Sequence, residues 1–228
     1  MSIKACVFDA YGTLFDVAAA AREAAAAPGG ERLAECWPQL AEIWRTKQLE
    51  YSWLRAVADD YKPFWEVTQD GLDYAMAALD IDDPTMRETL LGLYQRLSAY
   101  PEVPAMLAAL KAKDYSTAIL SNGSDDMLSA AIESAGIGDV LDASLSVEAV
   151  RIFKPHRKVY DLVGARMDVQ PAEVAFFSSN CWDATHASAY GFQTIWVNRA
   201  GGPLDKIGAA PAHIVKDLTE AAALVESL

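Results

Sequence analysis

Short apolar runs alternate with segments of helical periodicity from residue 101 to the end of the chain, and this alternation restricts the fold more than any other feature. The pattern predicts strands at 115–120, 141–147, 173–178 and 193–197, and helices at 103–112, 124–135, 157–167, 182–190 and 217–227. Strands that are joined through helices run parallel and cross over with right-handed geometry. The alternation therefore predicts an α/β fold built on a parallel sheet.

The first strand stands apart from the others along the chain. Residues 3–8 form an apolar run that stops at Asp9, whereas residues 17–98 have helical spacing and no convincing strand. Within that stretch we predict a loop at Pro28-Gly29-Gly30, a long helix after Pro38, and helices at 66–80 and 84–98. We therefore predict a Rossmann-like core with helices on both faces, formed by residues 1–16 and 99–228, and an inserted helical cap, residues 17–98.

Composition excludes several classes of protein. The 228 residues carry a formal charge of −13, which repels nucleic acids and anionic membranes. Hydrophobic residues make up 52% of the chain, enough for a full core, yet no apolar run approaches the ~18 residues of a membrane span. The three cysteines are scattered, and no apolar signal region precedes Asp9. We expect a cytoplasmic protein with no nucleic-acid or membrane partner.

Polar residues follow four of the predicted strands. The first strand ends at Asp9, the second at Ser121-Asn122-Gly123, and the fourth at Ser178-Ser179-Asn180 with Asp183 one turn later. Lys154-Pro155 follows the third strand. In open α/β sheets, ligands bind outside the carboxyl ends of the strands. We therefore expect these residues to meet in one site.

These motifs resemble those of the haloacid dehalogenase superfamily over essentially the whole chain. Residues 9–16, Asp-Ala-Tyr-Gly-Thr-Leu-Phe-Asp, resemble the nucleophile motif, and Ser121-Asn122-Gly123 and Lys154-Pro155 resemble the second and third motifs. The fourth block, residues 178–183, resembles the L-2-haloacid dehalogenase (type II) branch. The resemblance implies a small 2-haloacid substrate and a homodimer.

Two departures separate this chain from the phosphatases of the superfamily. Tyr11 stands where phosphatases carry a second acid that protonates the leaving alcohol. Ser178, Ser179 and Asn180 stand where phosphatases carry acids for Mg²⁺, a cation that prefers several oxygen ligands. Halide leaves as a stable anion and requires neither a proton nor a metal. We therefore expect no metal and no other cofactor.

The implied mechanism is covalent catalysis by a carboxylate. Asp9 attacks C2 of an (S)-2-haloalkanoate, and water then hydrolyses the ester to the (R)-2-hydroxy acid. Lys154 supplies the counter-charge, Asp183 orients Lys154, and Asp183 with Asn180 positions the water. A general-base role of Asp9, acting on a water that attacks C2 directly, stays open.

The resemblance also assigns supporting roles. Arg45 cradles the halide and Asn122 shares it, whereas Ser121 and the backbone amides that begin at Ala10 bind the substrate carboxylate. Apolar walls come from Tyr11, Leu49, Phe64 and Trp182, and further polar support comes from Thr13, Tyr160 and Ser178. In isolation, Arg45 also fits a solvated helix residue paired with Glu42.

Two other functions remain open from the sequence. One is a phosphatase or phosphonatase-like hydrolase of the same superfamily, and the other is a catalytically silent protein that binds a small acid. The missing second acid at Tyr11 argues against the first, and the retained Asp9, Lys154 and Asp183 argue against the second.

Overall fold

The computed structural model describes residues 2–26 and 30–228, so Pro28 and Gly29 of the predicted loop lie outside the described residues. Its strands are β1 (Ala5–Phe8), β2 (Phe15–Asp16), β3 (Ser98–Ala99), β4 (Ser116–Ser121), β5 (Ala143–Ser146), β6 (Val174–Ser178), β7 (Gln193–Val197) and β8 (His213–Val215). Its helices are α1 (Ala19–Ala26), α2 (Glu31–Ala58), α3 (Phe64–Ala78), α4 (Pro84–Tyr94), α5 (Val103–Lys111), α6 (Asp125–Ala135), α7 (Arg157–Met167), α8 (Cys181–Tyr190) and α9 (Ala221–Val225).

Six strands form one parallel sheet in the order β5-β4-β1-β6-β7-β8. Numbered within this sheet alone, the order is the 3-2-1-4-5-6 order of the Rossmann fold. From the central strand β1, the chain adds β4 and β5 towards one edge of the sheet and then β6, β7 and β8 towards the other edge. Right-handed crossovers therefore place helices on both faces, and the predicted fold class is confirmed.

Three short strands were not predicted. β8 pairs with β7 at the edge of the sheet, and β2 pairs antiparallel with β3 at the two ends of the helical stretch. Strands of two or three residues are too short to show a period of two, so their pairing partners define them. The closing helix is also shorter than predicted, because α9 covers only Ala221–Val225.

The helical segment α1–α4 has an apolar cluster of its own, separate from the cluster around the sheet. A helix that begins only after Pro38 was predicted, and this is wrong, because α2 begins at Glu31 and continues through Pro38. Leu33, five residues before the proline, and Leu40, two residues after it, are both buried in this cluster. Their burial outweighs the ~3 kcal/mol that an internal proline costs a helix. Within residues 2–26 and 30–228, no helix is both long and apolar enough to cross a bilayer.

A tight turn after β1 presents Asp9 at the carboxyl end of the sheet. The carbonyl oxygen of Ala10 accepts hydrogen bonds from the amides of Leu14 and Phe15, at 2.9 and 3.1 Å. Gly12 has a φ of 83°, in the left-handed region that favours glycine. A Cβ atom at this position would lie 3.2 Å from Ser179 Oγ. The turn thus depends on Gly12 to bring the first and fourth motifs together.

Candidate active site

The site forms where three adjacent strands end. Asp9 follows β1, Ser121 ends β4, and Ser178 ends β6, on either side of the central strand. Lys154 arrives from the loop between β5 and α7. The strand order reverses at β1, and such a switch point is where open α/β sheets bind ligands.

Ten of the predicted site residues line one cavity of about 20 Å³: Asp9, Tyr11, Arg45, Leu49, Phe64, Ser121, Asn122, Lys154, Asn180 and Trp182. This volume holds about one water molecule, so the helical segment and the core close tightly on each other here. The other five predicted residues are buried behind the lining: Ala10, Thr13, Tyr160, Ser178 and Asp183.

A buried cluster of charges surrounds Lys154. Its Nζ lies 3.2 Å from Asp9 Oδ1 and 2.8 Å from Asp183 Oδ2, while the hydroxyl of Tyr160 donates to Asp183 Oδ1 at 2.8 Å. Lys154 and Asp183 are fully buried, and Asp9 is 6% exposed. One ammonium therefore faces two carboxyl groups in a buried setting.

The pKa shifts in this cluster follow from burial and charge. Burial lowers the pKa of Lys154, but Asp183 and Asp9 more than compensate, so the net pKa is raised. Burial raises the pKa of Asp183; Lys154 opposes this rise and Asp9 adds to it. Burial and the neighbouring Asp183 also hold the pKa of Tyr160 well above its ordinary value. Lys154 therefore stays protonated, and Tyr160 stays a neutral donor.

The second oxygen of Asp9 is held by neutral donors. Oδ2 accepts hydrogen bonds from Thr13 Oγ1 at 3.1 Å and from Asn180 Nδ2 at 2.9 Å. The backbone amide of Ser179 donates to Thr13 Oγ1 at 2.8 Å, and that of Asn180 donates to Ser178 Oγ at 3.2 Å. Thr13 and Ser178 thus act at different points, because Thr13 touches the carboxylate and Ser178 fixes the loop that carries Asn180.

Arg45 links the helical segment to the core. Its Nη2 donates to Asn180 Oδ1 at 3.0 Å and its Nη1 donates to Gln48 Oε1 at 2.9 Å, and neither bond involves Glu42. Gln48 is 1% exposed, and its Nε2 donates to Thr68 Oγ1 at 2.8 Å. Sequence reasoning missed Gln48 and Thr68. The one signal for Gln48 was its position three residues after Arg45, on the same face of the helix.

Several hydrogen-bonding groups at the cavity have free capacity. Asn122 Oδ1 accepts from the amide of Lys154 at 2.9 Å, so its Nδ2 is available to a ligand. Ser121 Oγ accepts from the amide of Gly123, and its hydroxyl hydrogen remains available. The buried hydroxyl of Tyr11 and the indole nitrogen of Trp182 have no hydrogen-bond partner in the described part of the chain. Together with Arg45, these donors make a pocket suited to a small anion.

Metal ligands are scarce at this position. The space between Asp9 and Asp183, where a cation is expected beside two carboxylates, holds the ammonium of Lys154. The residues at the end of β6 contribute hydroxyl and amide groups. The donor set therefore suits an anionic substrate better than Mg²⁺.

Comparisons with known proteins point to the same chemistry. The model of the haloacid dehalogenase-like hydrolase family matches residues 3–191. The chain is 42% identical to (S)-2-haloacid dehalogenase 1 of Pseudomonas sp. (strain CBS-3), over 96% of this chain and 94% of that protein. It is 40% identical to (S)-2-haloacid dehalogenase 4A of Burkholderia cepacia, over 96% and 93%.

A solved structure agrees at the level of the whole chain. The L-2-haloacid dehalogenase of Xanthobacter autotrophicus, with chloropropionic acid covalently bound, superposes with a TM-score of 0.85. It is 38% identical, and the match covers 99% of both chains. The resemblance predicted from the four motifs is confirmed, and the chain belongs to the haloacid dehalogenase-like hydrolase family.

Proposed function

We propose that the protein is a metal-independent (S)-2-haloacid dehalogenase, which converts (S)-2-haloalkanoic acids and water into (R)-2-hydroxy acids and halide. The observation that carries the proposal is the Asp9 carboxylate, which lines a small cavity together with Lys154, Arg45 and Tyr11, the residue that stands in place of the second acid. The names of the two relatives above, both (S)-2-haloacid dehalogenases, support the same activity. In this proposal residues 17–98 act as a cap over a core formed by residues 1–16 and 99–228.

The first step is a displacement at C2. A carboxylate oxygen of Asp9 forms a bond to C2 while the carbon–halogen bond breaks, and the halide leaves with the bonding pair. Arg45 and Asn122 donate to the developing halide, where their charge and dipole act on the transition state. Ser121 and the amides after Asp9 bind the substrate carboxylate, and Leu49, Phe64 and Trp182 contact its alkyl group.

The second step is hydrolysis of the ester. Asn180 holds a water that attacks the carbonyl carbon of Asp9, and the bond from that carbon to the substrate oxygen breaks. One proton of the water is transferred to that oxygen, which gives the hydroxy acid, and the other proton is released to solvent as the Asp9 carboxylate forms again. Lys154 Nζ, 3.2 Å from Asp9 Oδ1, stabilises the negative charge that develops on the ester carbonyl oxygen. Asn180 lines the cavity, whereas Asp183 does not and instead accepts hydrogen bonds from Lys154 and Tyr160 behind it. We therefore assign water positioning to Asn180, and to Asp183 the orientation of Lys154.

Halide release from each enantiomer of 2-chloropropionate tests the activity. We expect release from the (S) enantiomer only, at the same rate with and without EDTA. Loss of activity in EDTA that Mg²⁺ restores, or release of phosphate from phosphate esters, would support the phosphatase alternative instead. If neither enantiomer reacts, a silent acid-binding protein becomes the better assignment.

A single turnover with excess enzyme in ¹⁸O-water tests the ester. Because the product oxygen derives from Asp9, the first hydroxy acid should carry ¹⁶O, and ¹⁸O should remain in the peptide of residues 5–22. A first product that carries solvent oxygen, with unlabelled Asp9, would instead indicate that Asp9 acts as a general base on water.

The proposal extends to cellular setting and assembly. A cytoplasmic location fits the scattered cysteines, and the strongly acidic charge argues against nucleic acids and anionic membranes as partners. Exposed apolar side chains on α2 and α3 support a homodimer.

A further inference from the structure

The two linkers that connect the helical segment to the sheet lie side by side. The first linker comprises residues 13–16 and includes β2, and the second comprises residues 98–102 and includes β3. β2 pairs with β3, and the amide of Tyr100 donates to the backbone of the first linker at 2.9 Å. The first linker begins at Thr13, whose hydroxyl donates to Asp9. The position of that hydroxyl therefore depends on how the paired linkers are held.

Arg199, in the loop after β7, contacts both linkers. Its Nη2 donates to the carbonyl oxygen of Thr13 at 3.0 Å, in the first linker, and lies 2.7 Å from Glu102 Oε1, in the second. The two hydrogens of this nitrogen can serve both acceptors. The guanidinium also lies over the ring of Tyr100, with 3.6 Å between its Cζ and the ring centroid. One side chain of the sheet domain thus joins the two linkers to each other.

Thr13 is held at both of its ends. Its hydroxyl donates to Asp9 Oδ2 at 3.1 Å and accepts from the amide of Ser179 at 2.8 Å, while its carbonyl oxygen accepts from Arg199. The indole nitrogen of Trp196, on β7, donates to the carbonyl oxygen of Ser179 at 3.2 Å. β7 and the loop after it therefore hold the backbone on both sides of the hydrogen bond between Thr13 and Ser179.

We propose that Arg199 is a positioning residue for the nucleophile. It fixes the backbone of Thr13, and through the Thr13 hydroxyl it fixes the orientation of the Asp9 carboxylate for attack on C2. The inference rests on the proposed function and adds to it a residue that does not line the active-site cavity. Displacement of a reacting group by about 1 Å can slow a reaction by about 10²-fold. Loss of Arg199 should therefore slow the displacement step and leave substrate binding nearly unchanged.

The rate of a single turnover tests this role. With folded enzyme in saturating excess, Arg199→Ala should lower the rate constant for halide release from (S)-2-chloropropionate by about tenfold or more, and KM should stay within about twofold. A smaller folded fraction does not change this rate constant, so a loss of stability alone would leave it unaltered. Arg199→Lys keeps the charge and should have a smaller effect in the same direction, and it replaces Arg199→Ala if that variant does not fold.

Arg22→Ala is the matched control. Arg22 pairs with Asp16 of the first linker at an exposed position, so its loss should leave the single-turnover rate constant unchanged. An equal decrease in both variants would overturn the proposal, because it would assign the effect to the linker in general. An effect of Arg199→Ala confined to KM would overturn it as well.

A double-mutant cycle tests whether Arg199 acts through Thr13. Thr13→Val removes the hydroxyl that Arg199 positions, so Arg199→Ala should change the rate constant by less than about twofold in that background. The same decrease in both backgrounds would overturn the proposal, since Arg199 would then act by another route.

Exchange of the Ser179 amide with solvent is a readout that needs no turnover. Because this amide donates to Thr13 Oγ1, its exchange rate, measured by NMR, reports whether Thr13 stays in place. Arg199→Ala should raise that rate by about tenfold, the effect of losing one charge-assisted hydrogen bond, and should leave the amide of Phe8 in β1 unchanged. An unchanged rate at Ser179, or an equal rise at Phe8, would overturn the proposal. Faster exchange at Ser179 alone, in a protein that releases no halide, would overturn the dehalogenase activity and still support the role of Arg199 in holding Thr13.

Discussion

At the scale of single residues, Arg45 joins the helical segment to the catalytic carboxylate. Its guanidinium donates to Asn180, whose amide donates in turn to Asp9. In the proposed mechanism the charge of Arg45 acts on the halide only as the carbon–halogen bond breaks, so Arg45→Ala should lower kcat and kcat/KM together by ~10²-fold. Steady-state halide release measures this effect, and added guanidinium ion should restore part of the rate.

Arg55→Ala is the matched control, because Arg55 lies on the same helix and pairs with the exposed Asp60. It should leave both constants unchanged. Gln48→Met keeps the length of the side chain that holds Arg45 and should lower kcat by about tenfold, the effect of losing one charge-assisted hydrogen bond. An Arg45→Ala effect confined to KM would instead assign Arg45 to carboxylate binding.

The ammonium of Lys154 sets the alkaline limit of the site. The pKa of Lys154 is raised in the folded protein above about 10.5, its value in the unfolded chain. The stability that its charge contributes is therefore fully present at any pH below about 10.5, and it is lost as the pH rises through the higher folded-state pKa. Between about pH 8 and 10, deprotonation of Lys154 should therefore reduce neither the activity nor the free energy of unfolding.

Asp183→Asn tests that explanation. The change removes one of the two carboxylates that raise the pKa of Lys154, while burial still lowers that pKa. The pKa of Lys154 should therefore fall, and the alkaline decline in stability should begin at lower pH. Denaturant titrations over the alkaline range measure the shift even if activity is lost. An unshifted decline would show that Asp183 does not control the proton on Lys154.

At the scale of secondary structure, α2 contains a helix-breaking residue that its packing tolerates. Pro38 lies in the interior of the helix and is exposed. Pro38→Ala restores a backbone hydrogen bond and removes a steric clash, and both effects stabilise the folded state. Part of this stabilisation is lost because alanine gives the unfolded chain more conformational freedom than proline does. We expect the free energy of unfolding to rise by about 1–2 kcal/mol, measured by urea titration.

Pro84→Ala is the control for this change. Pro84 opens α4, at a position where the backbone amide has no intrahelical partner in any case. The Pro84→Ala variant should therefore show no increase in the free energy of unfolding. If both variants changed stability equally, the effect would arise in the unfolded chain and not in the helix interior.

At the scale of the whole molecule, one apolar surface distinguishes the helical segment. Trp53, Leu54 and Val57 of α2 are exposed, Val57 to 87%, and Tyr74 of α3 is also exposed. Such a patch is typical of an interface. We expect a homodimer by sedimentation equilibrium, and Val57→Glu should convert it to a monomer. Ile207→Glu, in an exposed loop of the core, should leave the dimer intact, and a monomeric parent protein would contradict the prediction.

Much of the fold and of the site residue set was predictable because the signals are local. Alternating periodicity predicted the parallel sheet, and polar residues at strand ends predicted which side chains meet, since parallel strands end at the same edge. The roles of these residues and the division into core and cap stay predictions. Short pairs such as β2 with β3 were not predictable, because two residues carry no period and their strand character comes from the partner.

Sequence alone therefore determined the fold class, the family and the residues grouped around Asp9, through patterns that each motif carries by itself. Tertiary structure alone decided that α2 continues through Pro38, that Gln48 and Thr68 hold Arg45, and that Asp183 lies behind Lys154 and outside the cavity. It also decided that Arg199 contacts both linkers between the helical segment and the sheet. These features depend on burial and on contacts between residues far apart in the chain, and the free energy of such contacts has no signature in local sequence.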